Sequence, residues 1–183
     1  MTDLELATAI AEGDQGAVAR LMDAHYADVY RFISQSRIGK EDAEDLTQQT
    51  FVSACRAMGG FRGEASLRTF LHKIAVRDVY GWTRRFRLTV PLSGTEQAKD
   101  RIARVEDGLV LIDALDRIPD RYRIAFQLYE VQQLSVAEIA TAMAIPEGTV
   151  KSHLSQARRR LRELLQNEQE TTTHAREECR QAD

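Results

Sequence analysis

Cysteine is nearly absent from this chain: among 183 residues only Cys55 and Cys179 occur, far apart and with no Cys-x-x-Cys or histidine-rich companion. That scarcity excludes a disulfide framework and indicates no zinc site, so a reducing, cytoplasmic compartment is expected. Long apolar runs are missing too. No stretch approaches the roughly 20 residues that span a bilayer, and residues 1–11 carry acids instead of the basic start of a signal peptide. No segment alternates apolar and polar residues as a half-buried strand does, and there is no internal repeat. A nucleophile beside its base, a phosphate-cradling glycine loop and a metal-ligand cluster are all lacking, so no catalysis, cofactor or metal is expected. His174 and Cys179 are two possible ligands in the tail, too few for a site.

What is present is 43% hydrophobic residues, enough for folded cores in one domain or two small ones. The net charge is only −3, from 25 basic and 28 acidic residues, so the molecule as a whole is not a basic DNA-packaging object. Its charge is segregated instead. Residues 1–60 are acidic, with Asp23, Asp28, Glu41, Asp42, Glu44 and Asp45 among the acids, whereas residues 61–87 hold Arg62, Arg68, Lys73, Arg77, Arg84, Arg85 and Arg87 against Glu64 and Asp78. Such alternation implies an acidic surface for one partner and a basic surface for another.

Nearly every periodic segment has helical spacing, so the class is all-α. Helices are expected over 3–12, 17–36, 40–58 and 66–85, then over 109–117, 120–129, 135–143 and 148–167. The intervening 88–108, with a proline, two glycines and little apolar periodicity, reads as a flexible linker. Residues 168–183 have no apolar stripe and read as a frayed or disordered polar tail. The expected architecture is therefore two small helical domains joined by a flexible linker, the second containing a helix-turn-helix.

That helix-turn-helix lies in residues 134–165. Ser135 and Glu138 form the S-x-x-E pattern of a capping box, and Val136, Ile139, Ala140 and Met143 share one face. Pro146 cannot continue the helix, and Gly148 gives the chain freedom to turn. In the second helix Val150, Leu154, Ala157, Leu161 and Leu164 make a buried stripe, which leaves Lys151, Ser152, His153, Ser155, Gln156, Arg159 and Arg160 facing out. Short polar side chains at a helix start, followed by arginines, suit base edges in a major groove and then phosphates. A solvated helical hairpin is the plain alternative, but the cap, turn and basic face occur in register.

In the 66–85 helix, Leu67, Phe70, Leu71, Ile74, Ala75, Val79 and Trp82 supply a buried side, and Lys73, Arg77, Tyr80 and Arg84 form a basic stripe with an aromatic within it. The preceding loop adds Phe61, Arg62 and Glu64. Aromatics beside phosphate-binding cations hold single-stranded nucleic acid, although one amphipathic helix fits a solvated surface equally well. In the 40–58 helix, Asp42, Asp45, Gln48 and Gln49 form an acidic, amide-rich face that suits a protein partner or plain solvation.

These residues resemble the extracytoplasmic-function (group 4) sigma factors of the sigma-70 family, bacterial transcription initiation factors. The segment from Asp42 to Phe51 is similar to region 2.2, that from Phe61 to Ala75 to regions 2.3 and 2.4, and Leu115 through Glu138, Gly148 and Ser152 to Leu161 to region 4. The resemblance implies region 2 over 1–87, a linker over 88–108 and region 4 over 109–167, with the tail at 168–183. It implies that Asp42, Asp45, Leu46, Gln48 and Gln49 bind the β′ clamp helices of core RNA polymerase, with the β subunit as a further partner. Phe61, Arg62, Glu64, Lys73, Arg77, Tyr80 and Arg84 would take the opened −10 strand of promoter DNA. Lys151, Ser152, His153, Gln156, Arg159 and Arg160 would read the −35 element. Such factors are commonly held inactive by an anti-sigma factor. This chain has Gln49 where the family usually has Glu, Cys55 where it has an aromatic, Arg77 for Asn, and His153 and Gln156 for Arg, so promoter sequence does not transfer.

A self-sufficient helix-turn-helix regulator is the competing reading, but it normally needs a dimer to span two half-sites, and no heptad seam is visible. A pure interaction protein with solvated basic helices is the third. On the sigma reading the free chain binds promoter DNA poorly, and docking on polymerase links its two DNA-binding domains.

Overall fold

The computed structural model describes the backbone of residues 1–89 and 114–181 and the side chains of residues 1–85 and 114–166. Four helices come first: α1 (Asp3–Ala11), α2 (Gln15–Ser34), α3 (Lys40–Ala57) and α4 (Leu67–Thr89), with a 3₁₀ turn at Met58–Gly60 between the last two. Three more follow: α5 (Asp120–Glu130), α6 (Val136–Met143) and α7 (Glu147–Gln181). Residues 114–117 are also helical.

Local chemistry sets the starts of these helices. Thr2 and Glu5 form a capping box at α1, and Asp14 accepts from Gly16 N and Ala17 N to cap α2. Gly13, at φ +92, occupies the left-handed position that a side chain would strain, and so lets α1 reverse into α2. The Ser135–Glu138 box is formed at α6 as the sequence indicates: Ser135 N donates to Glu138 Oε2 at 2.9 Å and Glu138 N to Ser135 Oγ at 3.3 Å.

Several boundaries depart from expectation. Between α6 and α7 the left-handed residue is Ala144 at φ 53, while Gly148 lies inside the first turn of α7 with nothing within 4 Å of an added Cβ. Pro146 starts α7 by offering its carbonyl to Thr149 N and Val150 N. Helix α4 runs through Thr89, so the first two residues of the expected linker are helical; the remainder of 88–108 lies outside the described residues. Helix α7 continues to Gln181, where a frayed tail was expected. From Thr149 onward it contains no Pro or Gly to interrupt it.

The core is continuous across both groups of helices. Leu21, Phe32, Ile33, Leu46, Leu67, Leu71 and Val79 of the first half join Ile124, Leu128, Leu134, Ile139, Val150 and Leu154 of the second in one buried apolar cluster. A smaller cluster gathers Ala114, Ile118 and Leu161. Each fully buried Leu or Ile contributes about 1.5–3 kcal/mol relative to exposure, so this shared core ties together what the sequence presents as separate units. The contact between halves lies mainly between α4 and α6, with α5 beside α2 and α4.

Candidate functional site

Three surfaces carry the residues singled out above. On α3 the buried stripe of Ala43, Leu46, Thr47, Thr50, Phe51 and Ala54 faces inward, and Asp42, Asp45, Gln48 and Gln49 are exposed. Leu46 is only 3% exposed, so it anchors the helix from beneath and is not a surface contact. Thr50 Oγ1 donates to Asp78 Oδ2 at 3.1 Å, fixing α3 against α4. Val52 extends the face: it is 49% exposed, seven residues beyond Asp45 and four beyond Gln48, which places it on the same side of the helix. Sequence reasoning missed it, although an apolar residue outside the buried stripe is a readable signal of a partner face.

The second surface is formed by the loop after Gly60 and by α4. Phe61 is half-buried and meets Phe70 edge-on, ring centroids 5.4 Å apart, while Arg62, Glu64, Lys73, Arg77 and Arg84 are exposed. Gly63, at φ +71, makes the loop's left-handed turn. Arg77 is held by its neighbour, Nε and Nη2 lying 3.2 and 3.1 Å from Asp78 Oδ1. Tyr80 is not simply exposed. Burial pushes its phenol pKa up, with Asp120 of α5 acting in the same direction. Trp82 is half-buried against the core, the structural role that the helix's apolar spacing indicates.

Two hollows lie along this surface, each walled on its far side by α6. One, of about 360 Å³, is lined by Phe61, Arg62, Glu64, Phe70 and Lys73 with Thr141; the other, of about 390 Å³, by Phe70, Lys73, Arg77 and Tyr80 with Ala142, Met143 and Ala144. The basic stripe therefore runs beside the second half of the molecule, with Lys73, Arg77 and Arg84 exposed and Tyr80 half-buried.

The third surface is α7. Lys151, Ser152, Ser155 and Arg159 are exposed, and Gln156 is partly so, its Oε1 accepting from Arg159 Nη2 at 2.9 Å. His153 and Arg160 turn aside from this face. His153 stands edge-on to Tyr122 of α5 at 5.2 Å, and the Arg160 guanidinium lies 5.0 Å over the same ring. Both residues flank the buried stripe on the side where α5 packs, and Tyr122 widens the covered arc beyond what helical spacing alone gives. Burial lowers the His153 pKa, and Arg121 adds to that. Arg158 is likewise engaged, donating to Glu130 Oε1 at 2.9 Å. The open face is thus Lys151, Ser152, Ser155, Gln156 and Arg159; Ser155 faces out by spacing, but the sequence reading gave it no role.

A polar seam separates the surfaces. Arg68 of α4 donates from Nη2 to the Gln132 carbonyl and from Nε to Asp28 Oδ2 at 3.3 Å. Thr69 Oγ1 donates to Glu138 Oε1 at 3.1 Å, and Gln127 Nε2 donates to the Gln35 carbonyl. Inside the seam His72 is fully buried; its Nδ1 contacts the Arg68 carbonyl at 2.8 Å, and the buried Gln132 side chain stands beside its ring. Burial holds the His72 pKa below its ordinary value.

The helix order defines an all-α architecture of two successive helical groups, the second containing a helix-turn-helix. Comparison with known proteins identifies it further. The sequence matches the family described as "Sigma-70 region 2" over residues 21–88 and the one described as "Sigma-70, region 4" over residues 109–161. The ECF RNA polymerase sigma factor SigM of Mycobacterium tuberculosis (strain ATCC 25618 / H37Rv) is 35% identical over 166 residues, which cover 90% of this chain and 85% of that protein. In fold, the chain is similar to CnrH in its complex with the cytosolic domain of CnrY, with a TM-score of 0.71 at 23% identity over 90% of this chain and 97% of that one. It is also similar to the sigma factor RpoE in complex with the anti-sigma factor NepR from Bartonella quintana, with a TM-score of 0.66 at 22% identity over 81% and 96%. The chain belongs to the extracytoplasmic-function sigma factors of the sigma-70 family. Among the described residues no helix is long and apolar enough to cross a membrane.

Proposed function

We propose that this sigma factor directs core RNA polymerase to promoters through the three surfaces in a fixed division of labour. The α3 face of Asp42, Asp45, Gln48, Gln49 and Val52 docks on the polymerase clamp. Phe61, Arg62 and Glu64 with Lys73, Arg77, Tyr80 and Arg84 receive the opened −10 strand, the aromatics stacking on bases and the cations meeting phosphates. Lys151, Ser152, Ser155, Gln156 and Arg159 enter the major groove of the −35 element. His153 and Arg160 hold α7 against α5 through Tyr122 and so aim that face. The observation that carries the reading is the capped α6, the turn at Ala144 and the basic outer face of α7 following a region 2 match in the same chain.

Control by an anti-sigma factor belongs to the same proposal, supported by the family membership and by the fold shared with a sigma factor solved with its anti-sigma partner. Acting on polymerase, the protein works in the cytoplasm, and its role is recognition, not catalysis. Adding the purified chain to core polymerase and a genomic promoter library, then mapping RNA 5′ ends, tests the reading. Discrete start sites sharing two spaced elements support it; unchanged, non-specific transcription overturns it.

A further inference from the structure

We propose that Asp78 is a positioning residue for the promoter strand: it holds Arg77 of α4 in one orientation and ties that cation to α3, the helix given the polymerase-docking role. This rests on the −10 role assigned to Arg77 above, and the experiment below separates a failure of that role from a failure of the positioning.

Adjacent residues on a helix point about 100° apart and do not face each other. Arg77 nevertheless turns back on its neighbour, with Nε and Nη2 at 3.2 and 3.1 Å from the single oxygen Asp78 Oδ1. The two side chains differ sharply in exposure, 66% for Arg77 and 9% for Asp78, so a sheltered carboxylate grips a cation that still reaches solvent. Guanidinium carries five donors, and Asp78 leaves some of them for a phosphate. The other carboxylate oxygen, Oδ2, accepts from Thr50 Oγ1 of α3 at 3.1 Å, and that hydroxyl also lies 2.8 Å from the Leu46 carbonyl, beneath the exposed Asp45 and Gln49. A line of polar contacts thus runs from the docking helix to one cation of the strand-binding stripe. Among the described residues Lys73 and Arg84 of the same stripe form no ion pair. An ion pair as open as this one adds little stability; its consequence is that a long side chain is ordered before the strand arrives. Phosphate contacts set the register of a bound nucleic acid, so a cation fixed against α3 presents the opened strand at a set place on polymerase.

The experiment uses holoenzyme assembled from the full chain and core polymerase, with a promoter fragment taken from the start-site map and mismatched over the −10 element so that its strand is already open. Arg77→Ala should weaken binding and flatten its salt dependence by about 0.7 in slope, as loss of one single-strand phosphate contact does. Asp78→Asn, which keeps the shape and the acceptor for Thr50, should weaken binding about threefold to tenfold, the effect of having to order one long side chain on binding. In the Arg77→Ala background Asp78→Asn should add nothing. Thr50→Val should give a smaller loss that also vanishes in that background, and thermal melts of each variant should stay near wild type. Tighter binding by Asp78→Asn would mean that the carboxylate merely repels phosphates and would overturn the proposal. So would an undiminished loss in the Arg77→Ala background, which would make Asp78 a packing residue while leaving the −10 role of Arg77 standing. Wild-type binding by Arg77→Ala removes Arg77 from the strand-binding set, and the positioning role falls with it.

Discussion

Helices α4 and α7 look alike in sequence and differ in the fold. Each has an apolar stripe opposite cations at helical spacing. On α7 the charged side meets solvent along Lys151, Ser155 and Arg159, whereas on α4 the stripe of Lys73, Arg77 and Tyr80 borders Ala142 and Met143 of α6. The lesson is that amphipathic spacing assigns a side to a helix but not its neighbour. Two surfaces built from the same residue types therefore have different surroundings: Lys73 and Arg77 are exposed beside a neighbouring helix, while Lys151, Ser155 and Arg159 are exposed on an open face.

The largest expected effect uses α3, which lies outside both helices and is open. Replacing Asp45 and Gln48 with lysine should abolish co-purification with core polymerase while leaving helical circular dichroism unchanged, since both side chains are exposed. Wild-type co-purification would place the docking face elsewhere.

Next in size is the test that separates strand capture from duplex reading. Losing a stacked base partner costs about 1–3 kcal/mol, so Phe61→Ala should reduce open-complex formation, read by permanganate reactivity, roughly 5–150-fold while leaving initial duplex binding close to wild type. Equal losses in both assays would make the Phe61–Phe70 contact at 5.4 Å a packing contact alone.

Within α7 the comparison sharpens to single residues. Gln156→Ala should relax preference at one base position, as loss of an adenine contact worth about 1–3 kcal/mol would. Arg159→Ala should weaken binding to all sequences and lower the salt slope by about one. Arg160→Ala, stripped of its packing on Tyr122, should lower the melting temperature more than it alters the base profile. A randomised −35 library transcribed with each variant, beside thermal melts, decides these; an unchanged profile for Gln156→Ala removes that residue from the reading set.

The smallest effect is in pH. His25, His72 and His153 all have pKa values lowered by burial from an ordinary 6.5. Unfolded chains therefore take up protons that the fold refuses, and stability falls as pH drops through about 6.5 toward the folded values. The charges facing His72 are Arg68 on its own helix, which disfavours the proton, and Asp28 of α2, which favours it. Melting curves from pH 8 to 5.5 should show a gradual loss, reduced in His72→Gln; an identical slope in that variant would assign the loss to the other histidines.

What the sequence makes legible follows from locality. The Ser135–Glu138 box is readable because both partners lie within one turn, and the exposed acids and amides of α3 are readable because one helix face decides them. Tyr122 reaches His153 from another helix, so no spacing within α7 reveals that His153 leaves the outer face. Ala144 adopts the left-handed turn where Gly or Asn would signal it. Arg68, Thr69 and Gln132 look like solvated polar residues until the halves are brought together; only the tertiary contact makes them a clasp.

Glu138 links two scales of the molecule. One carboxylate oxygen accepts from Ser135 at the start of α6, and the other accepts from Thr69 across the seam. The Ser135 backbone hydrogen bond is the largest influence holding its pKa below the ordinary carboxylate value, with Thr69 and Arg68 contributing. The position is therefore doubly constrained under mutation: no substitution can retune how firmly the halves adhere without also disturbing where the helix-turn-helix begins. Drift in the strength of that adhesion has an easier outlet on the other side of the seam, at Thr69 and Arg68, where a change leaves the α6 cap intact.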